Sequence, residues 1–242
     1  MSRLTRYGKY AKGDGSQWPV SGQRGRFTAS ASCYNADMDI TGVNRNEIYR
    51  YLGAKGGASP DETMRALTED VLRELSGKVR PGHVSLVVPL TVTPEDRIDM
   101  TCMQIRSKSL FRNLRGCDEA LLFAATLGDG ADFLIRRYEK TDMARATVCQ
   151  AASAAMIEAY CDEINDAWKK EYKEKGCFLR PRFSCGYGDF PLTCQKRFLE
   201  VLQADKRLGI RLTEGLLMVP TKSVTAVIGI GSLQQHEKDT GR

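Results

Sequence analysis

The residues best suited to chemistry sit in one short run, Arg180-Pro-Arg-Phe-Ser-Cys-Gly-Tyr-Gly-Asp-Phe-Pro191. Arg182 carries a planar guanidinium that can fork onto a carboxylate with paired hydrogen bonds. Gly186 and Gly188 lack a Cβ and let the backbone approach a ligand closely. Tyr187, between them, can lay its ring beside an aromatic base or a cationic sulfonium. The same residues also suit a tight surface turn with Tyr187 packed over it as a lid. Cys185 adds a thiol whose pKa neighbouring arginines would lower; the plainer role is that of a small packing residue.

Two further runs carry candidates. Glu158 is the lone acid of Ala151–Tyr160, AASAAMIEAY, and borders the apolar stripe Val148, Ala152, Ala155 and Ala159. It reads as a polar contact to a ligand or as an ordinary exposed helix residue. Leu121–Asp132, LLFAATLGDGAD, resembles a strand entering a Gly-x-Gly turn, the way Rossmann-type methyltransferases open their cofactor site. Only Gly128 and Gly130 are present, and no acid ends a following strand. The run therefore reads as a turn with Asp129 near a helix start, where a carboxylate suits the dipole. A P-loop, a Ser-His-Asp arrangement and HExxH are absent from the sequence.

The elements that must position these residues follow from pattern. Asn44 and Glu47 have capping-box spacing before a short helix that stops at Gly53. Ser59-Pro60-Asp61-Glu62 opens a second helix, with proline at its first position, along which Met64, Leu67, Val71 and Leu75 recur at helical spacing to Gly77. His83–Thr93 and Ile98–Ile105 read as strands. A short helix over Ser109–Leu114, a buried strand at Leu121–Thr126 and a helix over Gly128–Tyr138 follow. Asp142 to about Lys175 predicts one long helix, broken at most once and up to ~50 Å in length. Residues 176–190 read as a polar loop, Thr193–Asp205 as a helix, and Leu212–Val219 and Val224–Ile230 as late strands. Strands occur singly and in adjacent pairs between helices. That order predicts an α+β domain with an antiparallel or mixed central sheet flanked by helices, one of them long.

Composition narrows the classes. Of 242 residues, 42% are hydrophobic and 27% charged, as in soluble globular domains. No apolar run reaches the ~18 residues of a membrane span, and the opening MSRLTRYGKYAKGDG lacks the apolar stretch of a secretion signal. Residues 1–36 hold six basic residues against Asp14 alone, so +5 of the net +6 lies there. They are expected to form a flexible basic tail, 37–232 the folded domain, and 233–242 a polar C-terminal tail. The domain is close to neutral and offers no basic stripe for a phosphate backbone, which argues against a nucleic-acid partner. The eight cysteines form no CxxC and the two histidines, His83 and His236, lie away from them, so no metal site is expected. The cysteines are expected as reduced thiols and the chain as cytoplasmic.

The run at 180–191 resembles the S-adenosylmethionine-binding stretch of the activation domain of cobalamin-dependent methionine synthase, an Arg-Pro-x-x-Gly-Tyr motif followed by proline. Leu212-Thr213-Glu214, Met218, Pro220 and Ser223-Val224 follow that family's downstream run at the same spacing, and Ala155-Met156-Ile157-Glu158-Ala159 resembles its pocket helix. The similarity spans roughly 40–231, and the front half looks like the stand-alone form of the domain. It implies that Arg182 holds the methionine carboxylate and Glu158 the ammonium group, and that Gly186 and Tyr187 present backbone amides and a ring. Arg180 competes with Arg182, because a two-residue insertion separates Arg180-Pro181 from Gly186-Tyr187; Arg182 keeps four residues to Gly186. Glu214 is either a ligand contact or a tether for a backbone amide. An early aspartate in a Trp-Thr-Pro context and a late tyrosine-bearing extension have no counterpart.

The resemblance further implies reductive reactivation of cobalamin in methionine biosynthesis. Cobalamin would be carried by a cobalamin-binding domain or subunit of methionine synthase, since no Asp-x-His-x-x-Gly run is present. A flavodoxin-like donor would supply the electron. Two other readings stand beside this: a Rossmann-type S-adenosylmethionine-dependent methyltransferase using the glycines at 128–130, and a non-catalytic S-adenosylmethionine-binding regulator of a corrinoid protein.

Overall fold

The computed structural model describes residues 26–30, 38–53, 60–93 and 95–233, the first of these as backbone. In chain order the elements open with β1 (Arg26–Ser30), α1 (Arg45–Tyr51), α2 (Glu62–Ser76), β2 (Gly82–Pro89), β3 (Thr91–Thr93), β4 (Arg97–Asp99) and β5 (Gln104–Arg106). Then come α3 (Lys108–Leu114), β6 (Glu119–Thr126), α4 (Gly130–Tyr138), α5 (Met143–Glu174) and β7 (Cys177–Leu179). The chain closes with α6 (Cys194–Leu202), α7 (Ala204–Leu208), β8 (Arg211–Leu212), β9 (Met218–Val219) and β10 (Ser223–Ser232). Five strands make the central sheet in the order β1-β2-β6-β10-β7, and every pairing in it is antiparallel.

Side-chain alternation along β6 shows why the sheet is covered on both faces. Leu121, Phe123 and Ala125 point into one core with α2, α4 and α5; Ala120, Leu122 and Ala124 point into the other with α3, α6 and α7. The result is three layers and an α+β fold. The middle of α5 is buried along Ala151, Ala152, Ser153, Ala155, Met156 and Ile157. Such small side chains let α1, α2 and α4 pack closely against it, and all three do. At 1.5 Å per residue its 32 residues span about 48 Å without a break. The Asp142 side chain caps its start by accepting from the Arg145 amide at 3.0 Å.

Several local expectations are corrected. Within residues 1–36, Arg26–Ser30 is an edge strand rather than part of a tail; 1–25, 31–37 and 234–242 lie outside the described residues. The expected strand His83–Thr93 divides at Leu90, where β2 ends and β3 joins a separate three-stranded sheet with β4 and β5. Ile98–Ile105 is a hairpin, with Thr101 at φ +64 in its turn. Leu212–Val219 is likewise a hairpin, β8 to β9, whose turn is closed by the Leu217 amide donating to Thr213 Oγ1 at 3.1 Å. The α2 cap is Asp61, which accepts from the Met64 amide at 2.7 Å, and Pro60 precedes it. The Thr193–Asp205 helix breaks at Gln203, φ +50, into α6 and α7. Residues 176–190 contain β7, not loop alone. Asn44 does cap α1, accepting from the Asn46 amide at 2.9 Å, but Glu47 pairs with Arg50 instead of reaching back.

His83, on β2 beneath α5, has Nδ1 3.0 Å from Tyr160 Oη and stands edge-on to Trp168 at 5.8 Å. Burial pushes its pKa down to about 4. The folded value lies below the unfolded one, near 6.5, so the unfolded chain binds the proton first. Stability is then full above about pH 6.5 and falls as pH drops towards 4. Urea unfolding should show His83→Gln losing about 2–3 kcal/mol of the wild type's decline across that window. Parallel pH profiles for the two proteins would contradict the assignment.

Candidate functional site

Helical spacing puts Ala155, Glu158, Ala159 and Asp162 on one face of α5. Opposite them stand Gly42 and Asn44, before and at the cap of α1, with Glu47 and Tyr51 on the helix itself. Tyr187 forms the third wall. Together they line a cavity of about 480 Å³. Its floor is open because Ala155 and Ala159 carry only a methyl group each.

Arg182 stands beside this cavity and ties two of its carboxylates together. Its Nη2 lies 2.6 Å from Asp162 Oδ1 and 3.2 Å from Glu158 Oε2. The guanidinium side chain is only 20% exposed, while both acids are at least half exposed. Both bonds run through one nitrogen of a fork that carries five N–H donors. Arg180 goes elsewhere: its Nη2 donates to the Arg115 carbonyl at 2.6 Å and its guanidinium lies 5.0 Å over the Phe178 ring. Gly229 leaves the room for it, since a Cβ there would lie 3.2 Å from Arg180 Cγ. Of the two arginines, Arg182 is therefore the one that meets Glu158.

The bend carrying Tyr187 is closed on itself. Gly186 takes φ +92 and Gly188 φ +56, both in the region that favours glycine. The Gly186 amide donates to the Phe190 carbonyl at 2.9 Å, the Tyr187 amide to the Ser184 carbonyl at 3.2 Å, and the Phe190 amide to the Tyr187 carbonyl at 3.0 Å. Both amides expected to face a ligand are thus engaged inside the turn. What the bend does present is the Tyr187 ring, 66% exposed and edge-on to Phe183.

Asp189 fastens the bend to the rest of the domain. It accepts from Ser107 Oγ at 2.6 Å, the Lys108 amide at 2.7 Å and the Ser109 amide at 3.0 Å at the start of α3. Those donors hold its carboxyl well below the usual carboxylate range, the Ser107 hydroxyl foremost. Gly188 fits beneath, where a Cβ would come within 2.6 Å of Ser109 Oγ.

The remaining candidates are structural. Burial pushes the Cys185 thiol up to about 12, so it stays protonated and packs. Cys161, behind Arg182, is also pushed up to about 12 by burial. Glu214 is exposed in the β8–β9 turn and does not line the cavity. A Cβ at Gly130 would meet the Lys78 carbonyl oxygen at 2.1 Å, and one at Gly128 the Arg80 carbonyl oxygen at 3.3 Å. The glycine turn is filled by chain, not open to a cofactor. β6 runs antiparallel to both neighbours, whereas a Rossmann site needs parallel strands. The Rossmann-type alternative is excluded on both counts.

Sequence reasoning missed Asp162, Glu47, Tyr51, Asn44 and Asp189. Asp162 was within reach of it, four residues after Glu158 and so on the same helical face. Asn44 and Glu47 showed only a helix-start signal, because the place of the α1 residues at the cavity depends on α1 packing against α5. Among the described residues no cluster of acids, histidines or cysteines could hold a metal ion, and no helix is long and apolar enough to cross a membrane.

The fold and cavity define an α+β domain with an acid-rich recess of about 480 Å³ beside a paired arginine. Residues 112–233 match the family described as vitamin B12 dependent methionine synthase, activation domain, and the chain belongs to that family. A solved structure of the MetH reactivation domain bound to AdoHcy shares the fold, with a TM-score of 0.62 at 17% identity over 85% of this chain and 78% of that one. No curated protein matches the chain.

The Asp189 tether has a pH signature. A carboxyl with a depressed folded pKa stabilises above its unfolded value, near 3.9, and loses that effect as pH falls through the folded one. Asp189→Asn should melt at a lower temperature than wild type at pH 7, and the gap should narrow as pH drops below about 4. A gap independent of pH would mean that the carboxylate charge does not hold the bend.

Proposed function

We propose that the chain binds S-adenosylmethionine in the α1–α5 cavity and presents it to cobalamin carried by another domain or subunit of methionine synthase. The observation that carries this is Arg182, held between Glu158 and Asp162 at the edge of a recess that Tyr187 overhangs. The size is suitable, since small-ligand sites run from about 300 to 1,000 Å³ and this one is about 480 Å³. The donor set suits the ligand as well. The Arg182 fork matches a carboxylate, Glu158 an ammonium group, and the exposed rings of Tyr187 and Tyr51 an adenine face.

When bound, S-adenosylmethionine supplies a sulfonium methyl which, with one electron, remethylates the oxidised cobalamin. The chain's own part is orientation. Arg182 and Glu158 fix the amino-acid end, and the short floor at Ala155 and Ala159 lets the ligand sit deep. No general base is needed, because no proton moves. The electron comes from a flavodoxin-like donor. The AdoHcy in the related structure supports the same ligand class here.

Calorimetric titration with S-adenosylmethionine tests the site. Arg182→Ala should weaken binding by about 2–3 kcal/mol, roughly 30- to 150-fold, by removing a charge-assisted fork. Circular dichroism should show the fold retained. Unchanged affinity would remove Arg182 from the site. Methyl transfer is read separately, from the visible spectrum of an oxidised cobalamin domain with reductant. Tight binding without any spectral change would leave a non-catalytic regulator instead.

A further inference from the structure

Positive charge gathers on one face outside the cavity. Arg106 on β5, Lys108 and Arg112 on α3, and Arg115 at the α3 cap are all exposed. Among the described residues none of the four is in an ion pair, and residues 104–117 contain no acid. Lys108 and Arg112 stand one turn apart on the same side of α3. On the small sheet Arg97 lies directly opposite Arg106, and like charges so placed destabilise the strand pair. Arg97 meets Glu95 only at 3.7 Å. This face adjoins the ligand site without lining it. Asp189 of the Tyr187 bend accepts from Ser107 Oγ and the Lys108 and Ser109 amides, and Asn113 Nδ2 donates to the Pro181 carbonyl at 3.2 Å. Arg106, Lys108, Arg112 and Arg115 are all absent from the cavity wall. A protein seated on them flanks the mouth and leaves it free for cobalamin.

We infer that the β5–α3 face docks the electron-carrying protein, by way of an acidic surface on that carrier. The inference rests on the proposed function, in which S-adenosylmethionine and one electron act together at cobalamin. That electron leaves the carrier's reduced flavin for the oxidised cobalt, and no bond forms or breaks at this face. None of the exposed large apolar side chains lies on β4, β5 or α3. A charged face without apolar anchors suits the brief encounters of electron transfer, not a stable assembly. Its cations raise the encounter rate of an acidic carrier about ten-fold or more at low salt, and salt screens the attraction. A nucleic acid fits less well, because four cations fall short of the roughly six to ten phosphate contacts such binding uses.

Remethylation is followed in the visible spectrum with the full chain, S-adenosylmethionine and an oxidised cobalamin domain. Reduced flavodoxin supplies the electron in one arm and saturating titanium(III) citrate in the other. Lys108→Glu combined with Arg112→Glu should slow flavodoxin-driven turnover about ten-fold at low salt and by less at ~1 M. The titanium-driven rate and the calorimetric affinity for S-adenosylmethionine should stay as in wild type. Lys140→Glu combined with Lys170→Glu makes the same change in net charge at exposed positions elsewhere, and should leave both rates unaltered. The docking face is overturned, with the ligand site left standing, by any of three results. They are equal flavodoxin-driven rates in wild type and the Lys108 and Arg112 variant, an equal loss in the Lys140 and Lys170 variant, or wild type that turns over with titanium but not with flavodoxin. Inhibition of the flavodoxin arm alone by a DNA duplex, relieved in the Lys108 and Arg112 variant, would make this a nucleic-acid face and overturn it too. If S-adenosylmethionine does not bind, or titanium yields no methyl transfer, the proposed function falls and this inference falls with it.

Discussion

One guanidinium between two carboxylates organises the site. Glu158 and Asp162 sit four residues apart on α5, close enough to repel. Arg182, arriving from the chain just past β7, neutralises that repulsion at 2.6 and 3.2 Å. It thereby joins the segment after β7 to the middle of the longest helix. The ion pairs are half exposed, so their worth in stability is small, well under ~1 kcal/mol each. Their value lies in geometry: a fork is held ready at the cavity's edge, with its ordering cost already met in the folded chain.

The sheet supplies the rigidity this arrangement needs. β6 and β10 are buried on both faces, and α5 lies across one of those faces. The bend at 184–190 hangs from the far side of the same sheet through the Phe183–Val227 bridge and the Asp189 contacts to α3. A cavity wall from one layer and a tyrosine fastened to the other thus meet at a fixed spacing. The turn's own amides are consumed in building it, and what it exposes is the Tyr187 ring.

The legible parts of the fold were those dictated by local pattern. The 32-residue helix announced itself through its period and its Asp142 start, and α3, α4 and β6 fell close to their expected bounds. Expected long strands became hairpins where a residue turned left-handed, as at Thr101, which composition does not mark. β1 was hidden in a Gly- and Arg-rich stretch, because its strand state comes from pairing with β2 and not from its own alternation. β2 ends at Pro89, and the β-branched residues that resume at Thr91 pair in a separate sheet.

The sequence by itself determined the α+β class with an antiparallel or mixed sheet, the long helix with Glu158 on its apolar border, and the Arg182–Tyr187 bend with its two special glycines. All of these rest on periodicity, spacing and the backbone freedom of glycine, which are properties of neighbours along the chain. Only the tertiary structure decided that Arg182 and not Arg180 meets Glu158, that Asp162 shares it, and that α1 closes the cavity with Glu47 and Tyr51. Those contacts join residues 20 or more positions apart. Their existence depends on how α1, α5 and the sheet edge pack, and no local pattern encodes that.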